Sequence, residues 1–289
     1  NIFFEKGKAV RMTGTLRDIT EEKAFSQALE AMVNDRTREL QQANTELEKM
    51  NQELASFAYV SSHDLQEPLR KIQAFASRIL EKEYQNLSSA GQDYFTRMQE
   101  AARRMQLLIQ DLLAYSRTNK KEKEFVHTNL NLLVAGVIDD LEQYIQDKQA
   151  TINVGELPEV DVIPFQFRQL FTNLISNSLK FRQKDVPLVI NIGSERLNGL
   201  VIGSNTDPDT YYYRVTVEDN GIGFDNNYHE RIFDVFQRLH TKQDYEGTGI
   251  GLAICKKIVE NHHGFIAAKG EPGKGAIFTI YIPENYQNG

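Results

Sequence analysis

Asp219-Asn220-Gly221-Ile222-Gly223-Phe224 and, beginning 28 residues later, Gly247-Thr248-Gly249-Ile250-Gly251-Leu252 are the stretches on which the reading of this chain turns. The second runs directly into the amphipathic segment Ala253 to Asn261. Glycine lets a backbone come close to a ligand, and the start of a helix presents unpaired N–H groups and a positive dipole end, so the pair points to a phosphate-bearing ligand. Neither string is a dinucleotide or P-loop fingerprint: Leu252 stands where G-x-G-x-x-G needs its last glycine, and no G-K-[ST] occurs. One such loop alone would be no more than a tight turn or a helix cap. Two, the first led by an acid, imply a nucleotide site.

Composition narrows the class. At 289 residues the chain has room for more than one domain, and 40% hydrophobic with 25% charged residues is ordinary for a soluble protein. The 33 basic residues against 40 acidic ones give a net charge of -7, which disfavours nucleic acid as a partner. The single cysteine, Cys255, falls within the apolar pattern of a helix and reads as a small buried hydrophobe in a reducing compartment. No apolar run is long enough to span a bilayer and no signal-peptide pattern opens the chain, so a cytoplasmic location is expected. The start at Asn1 suggests a fragment whose membrane anchor or further domain, if any, lies elsewhere.

From Glu21 to about Tyr84 there is no glycine and the one proline is Pro68, which predicts a single long helix. Val33, Leu40, Leu47 and Leu54 recur every seven residues, as do Leu29, Arg36, Ala43, Met50 and Phe57, the spacing of a parallel coiled-coil seam. A second helix is expected after a capping box at Ser89 and Gln92, with Tyr94, Met98, Ala101, Met105, Leu108, Leu112 and Tyr115 at heptad spacing. The two helices should form an antiparallel hairpin, and two copies a four-helix bundle, making a homodimer. Lys120 to Glu124 closes this region as a solvated linker.

Beyond it, helical periods over Leu130 to Gln146 and Phe165 to Phe181 mix with strand patterns over Ala150 to Val154, Leu188 to Glu195, Tyr211 to Glu218 and Ala276 to Ile282. The fold class expected is α+β: coiled coil, helical bundle, then an α/β sandwich with a mixed sheet. The polar stretch Leu197 to Thr210 reads as a long hairpin loop. On the helix from Phe165, Asn173, Asn177 and Lys180 share one face, a stripe suited to a metal-bound triphosphate, while Leu170, Phe171, Leu174 and Ile175 cover the packing side. Alone, that stripe reads as a plain polar helix face.

In order, NLISNSLKF (173–181), DNGIGF (219–224), IFDVFQRL (232–239), GTGIGLAI (247–254) and GKGAIFTIYIP (273–283) resemble the ATP-binding domain of sensor histidine kinases, a set partly shared by the wider GHKL ATPases. The resemblance implies ATP and Mg²⁺ as ligands. Asn177 would hold the metal, with Asn173 and Lys180 near the phosphates. Asp219 would accept from the adenine amino group, and Gly221 and Gly223 would let the backbone approach. Gly247, Gly249 and Gly251 would cradle phosphates, Thr248 and Leu252 would also meet the nucleotide, and Thr279 would sit behind the base. Phe233 and Phe236 would belong to a mobile lid that contacts the other domain, although both also read as core residues.

The segment SSHDLQEPLRKI (61–72) is similar to the phosphoacceptor box of the same family, with His63 as acceptor and Asp64 as the adjacent acid. The stripe Leu65, Leu69, Ile72, Ala76 and Ile79 should face the bundle, leaving His63 exposed on the far side. Pro68 is a candidate hinge one turn beyond the acceptor. The family's better-characterised phosphatases carry Thr or Asn four residues after the histidine. Here Glu67 stands there, which puts the reverse reaction in doubt, and Arg70 would either partly offset its charge or pair with it as a surface ion pair. His262 and His263, before Gly264, would favour the negative end of a helix dipole, and the remaining histidines lack metal-ligand spacing, so no zinc site is expected.

Residues 1 to 20 resemble the last hairpin of a PAS sensor domain, with Gly7 in the turn and Asp18-Ile19-Thr20-Glu21 as its exit motif. The expected layout is therefore 1–20 PAS-like remnant, 21–56 coiled coil, 57–121 phosphotransfer hairpin and 122–289 ATP-binding domain. The expected activity is autophosphorylation of His63 by ATP, followed by transfer to an aspartate on a response regulator. The rivals are another GHKL-type ATPase and a catalytically silent dimeric scaffold.

Overall fold

The computed structural model describes residues 2–5, 8–12, 20–117, 124–202, 208–239 and 248–284. They fall into two units, Asn1–Leu54 and Ala55–Gly289. In the first, β1 (Ile2–Glu5) pairs antiparallel with β2 (Lys8–Met12), Ile2 opposite Met12, with a register shift between Phe3 and Phe4. The expected turn at Gly7 and the first half of the exit motif, Asp18-Ile19, lie outside the described residues, and Thr20-Glu21 open the next helix.

Helix α1 spans Thr20–Glu83 without interruption, and the absence of glycine over this length is the local reason. It continues through Pro68. Within the first unit Leu29, Val33, Leu40, Leu47 and Met50 are all exposed, an apolar seam on an otherwise charged helix.

In the second unit a 3₁₀ turn (Tyr84–Asn86) leads into α2 (Ser89–Arg117). The cap is shifted one residue from the expected box: Ser88 Oγ accepts from the Gly91 N–H at 3.1 Å. The Gln92 side chain instead donates to the Tyr84 and Leu87 carbonyls, fastening the turn. Gln73 meets Gln106 at 3.1 Å and Gln99 meets Ser77 at 2.8 Å, a descending register that makes the end of α1 and α2 antiparallel. Leu69, Ala76 and Ala102 are buried along this pair, but Leu65 and Ile72 of the expected stripe, with Tyr94, Met98 and Met105, are exposed.

The rest is a two-layer domain. A short ribbon of β3 (Val126–Asn129) and β5 (Glu159–Val162) flanks α3 (Leu130–Asp140), α4 (Glu142–Lys148) and β4 (Thr151–Val154). Then come α5 (Pro164–Lys180), β6 (Val189–Asn198), the one-turn α6 (Gly199–Ile202), β7 (Tyr211–Asp219), α7 (Gly251–Asn261), β8 (Phe265–Glu271) and β9 (Gly275–Pro283). The sheet order is β4-β6-β7-β9-β8, parallel between β4 and β6 and antiparallel elsewhere. The expected helix over Leu130 to Gln146 breaks at Leu141, and the expected hairpin loop begins with α6, its residues 203–207 being outside the described ones.

Strand alternation builds the core. Ile190, Ile192, Val215, Val217, Phe278, Ile280 and Ile282 turn to one face and meet Val134, Val137, Phe167, Phe171, Leu174, Ile254 and Ile258 from the helices. Helix α5 starts on Pro164, whose missing N–H costs nothing at a first turn. His262 is not the expected dipole partner: its buried ring accepts from the Ile163 N–H at Nε2 and lies against Phe125 and Phe167, with Nδ1 2.7 Å from the Ile258 carbonyl. That network ties the end of α7 to the start of α5. His263 takes the left-handed position that ends the helix, φ 56°.

Candidate nucleotide site

Helices α5 and α7 pack against each other, and the sheet ends β7 and β9 close the space beside them around a cavity of about 310 Å³, the size of small-ligand sites. The same face of α5 that was picked out by spacing, Asn173, Asn177 and Lys180, lines it. Asp219, Gly223, Thr248, Gly249, Gly251 and Leu252 line it too, so most of the residues selected from sequence converge.

Asp219 ends β7 and is almost fully buried. Its Oδ1 accepts from the Gly221 N–H and its Oδ2 from the Ser178 hydroxyl, both at 2.9 Å. Burial pushes its carboxyl above the ordinary range, and the hydrogen bonds from Gly221, Ser178 and the Ala276 backbone oppose that rise. A carboxylate fixed in this way keeps acceptor capacity for a donor arriving from the cavity.

Asn173 serves the architecture as well as the cavity. Its Nδ2 donates to the Gly251 carbonyl at 3.1 Å and its Oδ1 accepts from Gln169 at 2.9 Å, clasping α5 to the first residue of α7. Asn177, one turn on, has no side-chain hydrogen bond among the described residues and fronts the cavity. Lys180 Nζ lies 4.2 Å from the centre of the Phe181 ring. Helix α7 begins with no side-chain cap, so its first N–H groups face the glycine-lined end.

The glycines are required by the chain's own packing. A side chain at Gly223, φ 64°, would meet the Glu271 carbonyl at 2.1 Å, and one at Gly249, φ 77°, the Gln237 carbonyl at 2.9 Å. Gly221 packs against the Phe181 carbonyl and does not line the cavity. Gly221 and Gly223 build the loop that follows Asp219, Gly249 packs against Phe236 and Gln237, and of the glycines expected near the ligand Gly223, Gly249 and Gly251 line the cavity.

Two expected positions are corrected. Thr279 faces away from the cavity, because β9 alternates and the residues turned inward are Ala276 and Phe278. Phe233 is a core residue, 6% exposed, whereas Phe236 presents its ring at the surface, 61% exposed, with φ 65°. Gly247 and His240 lie outside the described residues. Sequence reasoning missed Ser178, Phe224, Phe278 and, from the helical hairpin, Asp111. Ser178 stood inside the quoted motif; Asp111 sits on α2 and carried no signal. Cys255 is buried as expected, its thiol pushed up to about 12 by desolvation and hence unreactive.

Residues 163–286 match the Histidine kinase-, DNA gyrase B-, and HSP90-like ATPase domain, and residues 53–121 match the His Kinase A (phospho-acceptor) domain. The chain belongs to the sensor histidine kinases. It is 40% identical over 96% of its length to cyanobacterial phytochrome A of Nostoc sp., covering 35% of that protein. It spans about a third of the length of the curated relatives it matches. The fold is shared with full-length ShkA in complex with AMPPNP (TM-score 0.59, 21% identity, 80% of this chain and 46% of that one). It is shared also with histidine kinase ThkA in complex with the response regulator protein TrrA (TM-score 0.54, 21% identity, 84% and 66%).

The phospho-acceptor match contains His63, on α1, whose side chain lies outside the described residues. Asp64 is exposed, and Glu67 pairs at 2.7 Å with Lys71, not with Arg70 as expected. Both partners of that pair are exposed, so it adds little to stability. Among the described residues no helix is long and apolar enough to cross a membrane.

Proposed function

We propose that the chain binds ATP with Mg²⁺ in the cavity beside α5 and α7 and transfers the γ-phosphoryl group to His63, from which it passes to an aspartate of a response regulator. The observation that carries the reading is Asp219: a buried carboxylate held by Gly221 and Ser178 in a cavity it shares with Asn177 and Lys180. Its remaining acceptor capacity suits an adenine amino group and disfavours guanine, which presents a carbonyl at the corresponding edge. Lys180 and the uncapped start of α7 supply positive potential for phosphates.

Asn177 is the residue that would hold Mg²⁺, and a single amide oxygen suits an ion that keeps its waters and arrives on a triphosphate. When bound, the ion neutralises charge on the phosphates. For the transfer, an imidazole nitrogen of His63 forms a bond to the γ-phosphorus as the bridging oxygen departs on ADP with the bonding electrons, and Asp64 takes the ring proton. The protein's part is positioning and charge neutralisation. The exposed seams of α1 and α2 support a homodimer, and the hairpin at the start supports a PAS-like remnant. The cytoplasmic face of a larger sensor is the location that fits this reading.

The test is labelling with γ-phosphate-tagged ATP of the unaltered chain, His63→Gln and Asn177→Ala. The unaltered chain should acquire phosphate that is labile to acid and stable to base, and both variants should lose it. Equal labelling of His63→Gln would sink the reading.

A further inference from the structure

One residue of the nucleotide cavity comes from the phosphotransfer hairpin. Asp111, in the last third of α2, lines the cavity, and its Oδ2 accepts from the Thr248 hydroxyl at 2.5 Å. Thr248 Oγ1 in turn accepts from the Ile250 N–H at 3.3 Å, one residue before α7 begins. Leu108, one turn earlier on α2, packs against the core of the ATP-binding domain, so the contact between α2 and α7 has an apolar footing beside the polar one. A carboxylate thus reaches the glycine loop that leads into the uncapped N-terminus of an 11-residue helix, in a cavity that Gly249, Gly251 and Lys180 also line. That is the position in the cavity best suited to an anion.

We propose that Asp111 is an intramolecular competitor for the phosphate end of the nucleotide, holding α2 against α7 until phosphates displace it. The inference rests on the ATP reading of the cavity and adds to it a residue outside the ATP-binding domain. Two anions cannot share one half-buried, donor-lined subsite without strong repulsion. Burial already holds the Asp111 carboxyl above its ordinary range, with only the Thr248 hydroxyl opposing, so the latch surrenders a desolvated charge when it opens. Because coupling is reciprocal, whatever draws α2 away from α7 must tighten nucleotide binding by the same factor by which nucleotide weakens the α2 contact. A signal carried along the helices would then reach the nucleotide through the contact of Asp111 with Thr248.

The experiment is calorimetric titration of the full chain, as unaltered protein, Asp111→Asn and Asp111→Ala, with ADP plus Mg²⁺ and separately with adenosine. Both variants should bind ADP about fivefold to tenfold more tightly, the scale of one removed charge in a partly buried site. Adenosine affinity should stay within about twofold, and the gain for ADP should shrink as salt rises. Unchanged or weaker ADP binding overturns the proposal, as does an equal gain for adenosine, which would mark a steric plug. If the unaltered chain binds neither ligand, the nucleotide reading itself fails, and that outcome is distinct from the others.

Discussion

Asp219 faces opposite demands from stability and function. Its carboxyl is raised by burial, so the folded state holds the proton more tightly than the unfolded chain does. The stability it contributes is therefore fully present below the ordinary carboxylate pKa and is lost as pH rises through the raised value. Once ionised, the group burdens the fold. Asp219→Asn should remove that burden: Asn Oδ1 can still accept from Gly221, and the Ser178 hydroxyl can turn to the Leu174 carbonyl 3.3 Å away and accept from the new amide. Thermal melts from mildly acid to neutral pH should show a flatter profile for Asp219→Asn than for the unaltered chain, with no loss of melting temperature at pH 7. ADP affinity should nonetheless fall roughly 10- to 100-fold, the scale of a lost hydrogen bond to a charged acceptor. A variant that loses both would mean that Asp219 supports the fold and not the ligand. Glu67 poses a second question at this scale: its charge pairs with Lys71 at the surface, and under the proposed function it would repel an incoming phosphoryl group. Glu67→Thr should speed dephosphorylation of the partner regulator several-fold, measured as decay of its aspartyl phosphate, if that charge is what disfavours the reverse reaction.

Helix α5 joins the core to the cavity with one amphipathic face each, which makes its apolar side the place to test the domain's packing. Leu174 is fully buried among core residues, and Leu174→Ala should cost about 2–5 kcal/mol in chemical denaturation, enough to lower nucleotide binding through unfolding alone. This element was legible because its signals agree: Pro164 at the start, apolar residues at helical spacing, and Asn173, Asn177 and Lys180 on the other face. The elements that were not legible lack local signals. Strand β8 contains Ala267, Ala268, Lys269 and Gly270, poor strand formers, and exists because β9 offers it an edge to pair with. Strands β3 and β5 have four residues each and find one another across more than 30 positions. The break at Leu141 has neither glycine nor proline to announce it, and Thr279 was misplaced by one step of the β9 alternation. The site was read more fully than the fold because its motifs are contiguous strings. Asp111, from a distant helix, could be found only once α2 was seen against α7.

At the scale of the whole molecule, apolar surface that one chain leaves uncovered has to be accounted for. In the first unit Leu40 and Leu47 are 71% and 61% exposed on one seam, and in the second unit Leu65 and Tyr94 are 56% and 68% exposed on the helical hairpin. Such rows on helices at heptad spacing suit cover by a second copy, as the proposed homodimer requires, and a parallel pair would place like residues against each other. Burying a leucine is worth roughly 1.5–3 kcal/mol, and a symmetric dimer loses it twice for each position changed. Leu40→Asp should therefore weaken the dimer at least about a hundredfold, since it adds two facing charges to two lost leucines. Because the hairpin seam remains, Leu40→Asp alone should show a dimer that dissociates on dilution, and only Leu40→Asp combined with Leu65→Asp should sediment as a monomer at high concentration. Nucleotide binding should survive in that monomer, because one chain brings Asn177, Lys180 and Asp219 together in the cavity. If the double variant remains dimeric, the two seams do not carry the association; if the unaltered chain is already monomeric, the dimer itself is ruled out. Sedimentation equilibrium across a hundredfold range of concentration separates these outcomes, and labelling by tagged ATP of the monomer reports whether transfer to His63 needs the partner.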